Sequence, residues 1–539
     1  MKLKGKSLVI FCLLVGMFLF SFQAGACTIV AVGKDASTDG STMITHNDDS
    51  TSADFRLWII PERDWEEGDM RDIVLDSHNY GDFSNYPDEK DYGKGVKVGE
   101  IPQVDHTYRY FHSRYSFMNE KGVAMGESTF WIDSSTEYGK KVSDIMNEEF
   151  GDGMIDCWQA QDIALERAST AREAVKIMAD LVEEFGWSGP GETINITDGD
   201  EVWILEFYGG NLWAAKRVPD GHFFVASNRA RIDDMHPQDE ENYMCAPNLI
   251  DFAVDHRLWS SESGEEFNPA RIFAPNDQIY STRRTWRAFD LVAPSLDLSP
   301  HQINFPFSVK PERKLSVHDI FKIKGDYYEG TEYDLTEGPA AGPWGNPLRY
   351  ANRGEGSWER SINMHRTCYV HIGQVKDWLP DSIKGISWFG YGAPDSTYIV
   401  PLWPAMEELP EFYSTGSRFN DFRRDSGWWI NTYVQQMTEL RYSEAIEDIY
   451  SYRDPKLSAL YDQTWAIQNQ AAEMYENNPE AAIDMIDNFA YNTSMAWHEE
   501  WRELGDHLLG RYAMGYRNFS TTGYPEWWNE FIGYGPLER

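Results

Sequence analysis

Two hydrophobic periods alternate along this chain. CTIVAVG (27–33) is a short, nearly continuous apolar run, KDASTDG supplies turn formers, and STMITHN (41–47) reads as a returning strand. Together they predict a hairpin whose first strand opens at Cys27. Strand-like runs recur at Tyr108–Ser116 and Val123–Phe130. From Trp158 to Phe185 the period changes: Leu165, Ala168, Ala171, Ala174, Val175, Met178, Leu181 and Val182 fall at helical steps. Thr170 and Glu173 fit a capping box, so two helices with a break near Ser169 are expected. ETINITDG, VWILEFYG, LWAAKRV and HFFVASN then read as four successive strands joined by tight turns. Beyond about Pro410 the chain becomes helical, at Trp428–Tyr452 and Pro479–Tyr512. Strands, helices and strands again predict a layered arrangement with antiparallel sheets. Residues 61–105, rich in Asp, Gly, Pro and Tyr and without a clear period, read as a long insertion or lid.

The first 26 residues follow another logic. Lys2, Lys4 and Lys6 precede an apolar run from Leu8 to Phe22, and Ala24-Gly25-Ala26 is an A-x-A cleavage site. The run is about 15 residues, short of the roughly 20 needed to span a bilayer. Residues 1–26 therefore read as a signal peptide cleaved before Cys27, which places the protein in the periplasm or outside the cell. A lipoprotein signal also leaves cysteine first, but usually carries Leu three places earlier, where this chain has Ala24. Only ordinary cleavage leaves the thiol and amine of Cys27 free. No later segment suggests a membrane span.

Composition narrows the classes. Apolar content of 42% and aromatic content of 14% predict a folded chain with a large core. A formal net charge of −39 argues against nucleic acid or anionic membrane surfaces as partners. The 21 tryptophans are scattered through presumptive core segments, so packing accounts for them better than carbohydrate stacking. Outside the leader, cysteines stand only at 27, 157, 245 and 368. With Cys27 reserved for chemistry, at most one disulfide can form among Cys157, Cys245 and Cys368, and the sequence does not choose it. No CxxC or HxxxH cluster makes a case for structural zinc.

A cysteine attacks as its thiolate, so something must take its proton. At a chain terminus the free α-amine, with a reference pKa of about 7.7–8.0, lies within reach and needs no histidine partner. The plain alternative is a small buried residue that begins a strand.

The opening CTIVAVGKDASTDGSTMITHNDDS resembles the start of the secreted dipeptidase family of N-terminal-nucleophile cysteine hydrolases, relatives of bile-salt hydrolases and penicillin V acylases. NEKGVAMGEST (119–129), DGDEVWILEF (198–207), WAAKRVPDGHFFVASNRARI (213–232), RRTWR (283–287), CYVHIGQVKDWLP (368–380) and SGWWINTYVQQMTELRY (426–442) extend the likeness over most of the mature chain. The resemblance implies an α+β, four-layer αββα fold, a catalytic domain over 27–410 and a helical region over 411–539. It implies Cys27 as nucleophile and Asp49 as the carboxylate that holds its amine. Asn228 matches the oxyanion-hole amide, and Arg284 the arginine beside the nucleophile, expected to lower the thiol pKa. Arg283 and Arg287 are near enough for the match to slip by a few places. Where the acylase relatives carry arginine, three places before the aspartate, this chain has His46. Glu127 and Thr129 fall in the substrate pocket, with Glu127 a candidate for binding the free ammonium of a dipeptide and Thr129 near the second oxyanion contact. Glu206 is a further inward-facing carboxylate without a role.

The resulting expectation is an exported dipeptidase, without metal or organic cofactor, acting on small peptides. An N-acyl amide hydrolase of the same fold and a lipid-anchored surface protein stay open beside it. A homo-oligomer is compatible with the sequence.

Overall fold

The structure is a computed structural model that describes residues 27–50, 54–75, 96–151, 153–349, 359–418, 421–518 and 520–534. The leader reading at 1–26 and residues 76–95 of the proposed lid lie outside the described residues.

The described residues open with the expected hairpin, β1 (Ile29–Val32) and β2 (Thr42–Asn47), with Ala31 opposite Ile44. Every residue of both strands is buried; β1 shows this as a continuous apolar run, whereas β2 buries Thr42, Thr45, His46 and Asn47 beside Met43 and Ile44. The turn between them presses against the chain at 219–220: a Cβ on Gly33 would lie 2.4 Å from the Asp220 carbonyl oxygen, so only glycine fits. β3 (Trp58–Ile60), β4 (Tyr110–His112), β5 (Met118–Asn119) and β6 (Ala124–Phe130) follow. Only the middle of the run at Tyr108–Ser116 pairs as a strand. The described parts of 61–105 are not irregular: Met70–Leu75 pairs antiparallel with Val96–Pro102.

Helix α1 (Glu137–Glu149) precedes α2 (Cys157–Arg167) and α3 (Ala171–Phe185), which break where expected. Thr170 Oγ1 accepts from the Glu173 N–H at 3.1 Å, while the Glu173 carboxylate reaches Ser169, one residue earlier than the capping box requires. Then come β7 (Gly191–Thr197), β8 (Val202–Gly209), β9 (Leu212–Arg217) and β10 (Phe223–Ala226). β7, β8 and β9 are neighbours in one sheet, but β10 crosses to the other and pairs with β1, Ile29 opposite Ala226. The sequence showed four strands and not this change of sheet, because turn residues do not say which edge the next strand meets.

The elements of the remainder that frame the sheets and the C-terminal region include β11 (Tyr243–Cys245), α4 (Ile279–Val292), β12 (Ser308–Val309), α5 (Val317–Lys324), β13 (Tyr369–Val375), β14 (Gly385–Tyr391), β15 (Val400–Leu402), α6 (Gly427–Thr438), α7 (Tyr442–Tyr475) and α8 (Pro479–Tyr512). The first sheet runs β12-β10-β1-β2-β13-β14-β15, the second β11-β9-β8-β7-β6-β5-β4-β3, with antiparallel pairing throughout. β6 and β7 lie against β2. The contact is close: a Cβ on Gly126 would sit 2.5 Å from the Thr45 carbonyl oxygen. Asn195 ties the sheets together, donating to the carbonyls of Val30 and Thr45 at 2.9 and 3.2 Å. α3 packs on β7, β8 and β9, α4 on β10, α5 on β13, and α6 on β14. The chain is thus a mixed helix-and-sheet protein with a helical C-terminal region. Cys157, Cys245 and Cys368 are free thiols. Among the described residues, no helix is long and apolar enough to cross a membrane.

Candidate active site

The facing of β2 and β6 brings Cys27, His46 and Glu127 together, all fully buried. Cys27 Sγ donates to Glu127 Oε1 at 2.9 Å, and His46 Nε2 lies 3.0 Å from the same oxygen. Tyr369 OH sits 3.1 Å from the other ring nitrogen of His46. Thr129 Oγ1 is within 3.3 Å of Glu127 Oε2 and 3.2 Å of Glu192 Oε2. Both oxygens of Glu127 are therefore engaged by the protein itself.

The electrostatics follow from this crowding. Burial pushes the Cys27 thiol well above its usual pKa, and Glu127, Asp49 and Asp48 add to the effect. Burial would also raise Glu127, but hydrogen bonds from His46, Glu192 and Cys27 outweigh it and hold Glu127 below the usual carboxylate range. Glu192 moves the other way, raised by burial and by Glu127. Of two adjacent buried carboxyls, one keeps the charge and the other the proton.

Arg284, on α4, does not face the sulfur. Its Nη1 donates to the Cys27 carbonyl at 3.0 Å and to Thr28 Oγ1 at 2.8 Å, its Nη2 to the Ser227 carbonyl and Asn228 Oδ1 at 3.2 and 2.8 Å, and its Nε to the Tyr280 carbonyl at 2.9 Å. Burial, with Arg360 beside it, pushes its pKa down to about 9; five oxygen acceptors hold the cation. The expected lowering of the thiol pKa does not appear: burial and the carboxylates of Glu127, Asp49 and Asp48 outweigh the guanidiniums of Arg360 and Arg366 that also act on Cys27. Arg283 instead pairs with Glu359 at 2.7 Å and Arg287 with Asp326 at 2.8 Å.

Asn228 takes a left-handed backbone conformation, φ 56°, which asparagine tolerates better than most residues. Its Oδ1 accepts from Arg284 and, at 3.2 Å, from Arg360. A guanidinium only donates, so the amide orientation is fixed and Nδ2 points to the Thr129 carbonyl, 2.6 Å away. Asp49 is held by Arg360 and, at 2.5 Å, by Thr367 Oγ1. Ser128 Oγ donates to the Cys27 carbonyl at 3.2 Å, and Lys324 Nζ to the Thr28 carbonyl. Glu206 lies apart, accepting from Tyr208 OH and from the N–H groups of Arg231 and Ile232.

Sequence reasoning missed Arg360, Lys324, Glu192 and Ser128. Arg360 lies in SWERSIN, which has no recognisable spacing, and Lys324 looks like any cation closing a helix. Only Ser128 carried a signal, as a strand residue between the flagged Glu127 and Thr129; Glu192 meets Thr129 only across the pairing of β6 with β7. For metals, the donor atoms of Cys27, His46 and Glu127 all lie within 4.8 Å of one another, as do those of Asp234, His236 and Glu266 at the surface. The buried trio already spends its donors on internal hydrogen bonds.

A mixed α/β protein that buries a thiol among an imidazole, carboxylates and oxyanion-type donors has the class features of a peptidase. The chain belongs to peptidase family C69, whose model matches residues 26–454. It is 29% identical over 428 residues to a "Probable dipeptidase" of Latilactobacillus sakei, covering 78% of this chain and 82% of that one. It is 26% identical to a dipeptidase of Bifidobacterium longum over 80% of each chain. With dipeptidase A of Lactobacillus helveticus it shares 27% identity over 77% of this chain and 82% of that one. The chain is accordingly a peptidase of a cysteine, N-terminal-nucleophile family.

Proposed function

We propose that the protein is an exported dipeptidase whose leader is removed before Cys27, and that the Cys27 thiol is its nucleophile. The observation that carries this is the buried hydrogen bond from Cys27 Sγ to Glu127 at 2.9 Å, at the N-terminal end of a family match that opens at residue 26. The relatives named dipeptidase support peptides of two residues as substrates.

The freed α-amine of Cys27 takes the thiol proton and sulfur attacks the scissile carbonyl. One N–H of Asn228 Nδ2 is bonded to Thr129; the other, with a backbone N–H, receives the oxyanion. Such a donor contributes about 2.7–4 kcal/mol in comparable sites. The ammonium then protonates the leaving amine, the C–N bond breaks, and water hydrolyses the thioester. Arg284 and Ser128 act on the Cys27 carbonyl and so position the nucleophile. The four-layer αββα arrangement is part of the proposal, supported by two facing sheets with α3 on one and α4 and α5 on the other.

The test joins N-terminal sequencing and intact mass of the exported protein to a panel of free and N-acetylated dipeptides. The expected outcome is a chain that starts at an unmodified Cys27, cleaves free dipeptides, and loses that activity as a correctly processed Cys27→Ala variant. Unchanged turnover in that variant overturns the mechanism. A diacylglycerol mass increment, or equal cleavage of acetylated dipeptides, overturns the functional reading.

A further inference from the structure

Substrate reading was expected of Glu127, but its oxygens are already filled by Cys27, His46 and Thr129. Two other groups near it are not satisfied. Asp48 is fully buried and neither of its carboxylate oxygens has a hydrogen-bond partner. Arg114 is 8% exposed, and its Nε and Nη1 likewise have none. Native proteins hydrogen-bond nearly all buried polar atoms, and a buried charged group without hydrogen bonds is costly enough to call for an explanation.

Position adds to this. Asp48 continues β2: its N–H reaches the Tyr369 carbonyl at 3.3 Å, and its own carbonyl accepts from Cys368 N–H at 2.7 Å. Two residues beyond His46, it shares the face that looks onto Glu127. The charged groups that act on it are Arg114, His46, Glu127 and Arg418, and it is close enough to Cys27 to oppose ionisation of the thiol. Arg418 is turned away to the Ser50 carbonyl and Cys368 Sγ, at 2.9 and 2.7 Å. The Arg114 guanidinium lies 5.3 Å from the ring centre of Tyr115 and 5.2 Å from that of Trp158, which fixes its plane.

We infer that Asp48 and Arg114 read the two ends of the substrate, Asp48 binding the free α-ammonium and Arg114 the free α-carboxylate of a zwitterionic dipeptide. This rests on the dipeptidase reading above. In a dipeptide the ammonium nitrogen is two bonds from the attacked carbonyl carbon, and the carboxylate carbon is three bonds away on the other side. Asp48 acts on both Cys27 and Arg114, so one small zwitterion can reach the carboxylate, the thiol and the cation together. Asp49 cannot share the task, since Arg360 and Thr367 already occupy it.

The experiment compares the mature enzyme with Asp48→Asn and Arg114→Gln on one dipeptide in free, N-acetylated and C-amidated forms, recording kcat and KM separately. The wild type should discriminate against each blocked form by about tenfold or more, the size expected when a buried polar group loses its partner. D48N should raise KM for the free dipeptide and lose the discrimination against acetylation alone; R114Q should lose that against amidation alone. Variants that discriminate like the wild type overturn the inference while leaving the dipeptidase reading intact. So does a D48N variant that lowers kcat on every form and shifts the pH profile, since Asp48 would then serve the amine of Cys27 itself. A wild type that cleaves no free dipeptide overturns both. Should either variant fail to fold, the wild type decides: acetylated and amidated dipeptides should be poor competitive inhibitors of free-dipeptide cleavage, and tight competition overturns the inference.

Discussion

At Cys27 the balance of charge runs against the thiolate. Burial raises the thiol pKa first and Glu127 next, and the anion of Glu127 accepts the thiol proton in a hydrogen bond. Replacing that anion by a neutral amide removes a charge that disfavours the thiolate, so the thiol pKa must fall. Glu127→Gln should therefore shift the pH–rate profile for alkylation of Cys27 by iodoacetamide to lower pH. A profile that stays put or moves upward would show that Glu127 does not govern the thiol. Among the site's cations, Arg284 holds the Cys27 carbonyl, and Arg360 holds Asp49 while also acting on the thiol. Burial, opposed by Asp49 and Cys27, brings the Lys324 ammonium down to about 7.

Between elements, the decisive contact is the approach of β6 to β2 at Gly126. A methyl group there would meet the Thr45 carbonyl oxygen at 2.5 Å and His46 Cβ at 2.8 Å, both on a rigid central strand. Gly126→Ala should cost about 1–3 kcal/mol or more in urea denaturation and disturb His46 with it. A variant of unchanged stability would mean that the two sheets separate easily. This packing also marks how far the sequence could be read. The hairpin at Cys27, the break at Ser169 and the strands at 191–226 follow from turn formers and local period, and they were legible. The transfer of β10 to β1, and the helices α1, α4 and α5, were not. α4 buries Arg283, Arg284 and Arg287 together with Trp286, Ala288, Phe289 and Val292, so its inward face carries charge where a reading of the sequence looks for apolar residues. The candidate site divides in the same way: Cys27, Asn228 and Arg284 lay in motifs, while Arg360, Lys324 and Arg114 meet them only through long-range packing.

Over the whole molecule, the helical region beyond Pro410 completes the core that holds the sheets. Gln468 on α7 donates to the Ile383 carbonyl at 2.8 Å and accepts from the buried Lys376 at 2.6 Å. Thr397 bonds Asn431 on α6 at 2.7 Å, and Arg453 on α7 donates to the Asp395 carbonyl at 2.7 Å. The family match likewise extends past 410, to residue 454. A chain ending at Pro410 would expose the apolar face of β14 and β15 and leave Lys376 without this partner. It should express as insoluble or molten protein, with near-ultraviolet circular dichroism as the check; a soluble chain with native tertiary signals would establish 27–410 as an independent domain.

The Cys27 carbonyl accepts from Arg284, 257 positions along the chain, and Asp49 is held by Arg360, 311 positions away. Contacts of such sequence separation close late in folding, after the loops between them have lost their entropy. A chain still being synthesised carries its cysteine from the beginning, yet the clamp that orients it cannot exist before the residues from α4 to Arg360 have emerged and docked. The order of emergence thus works as a clock, and a cysteine that emerges early becomes competent only late.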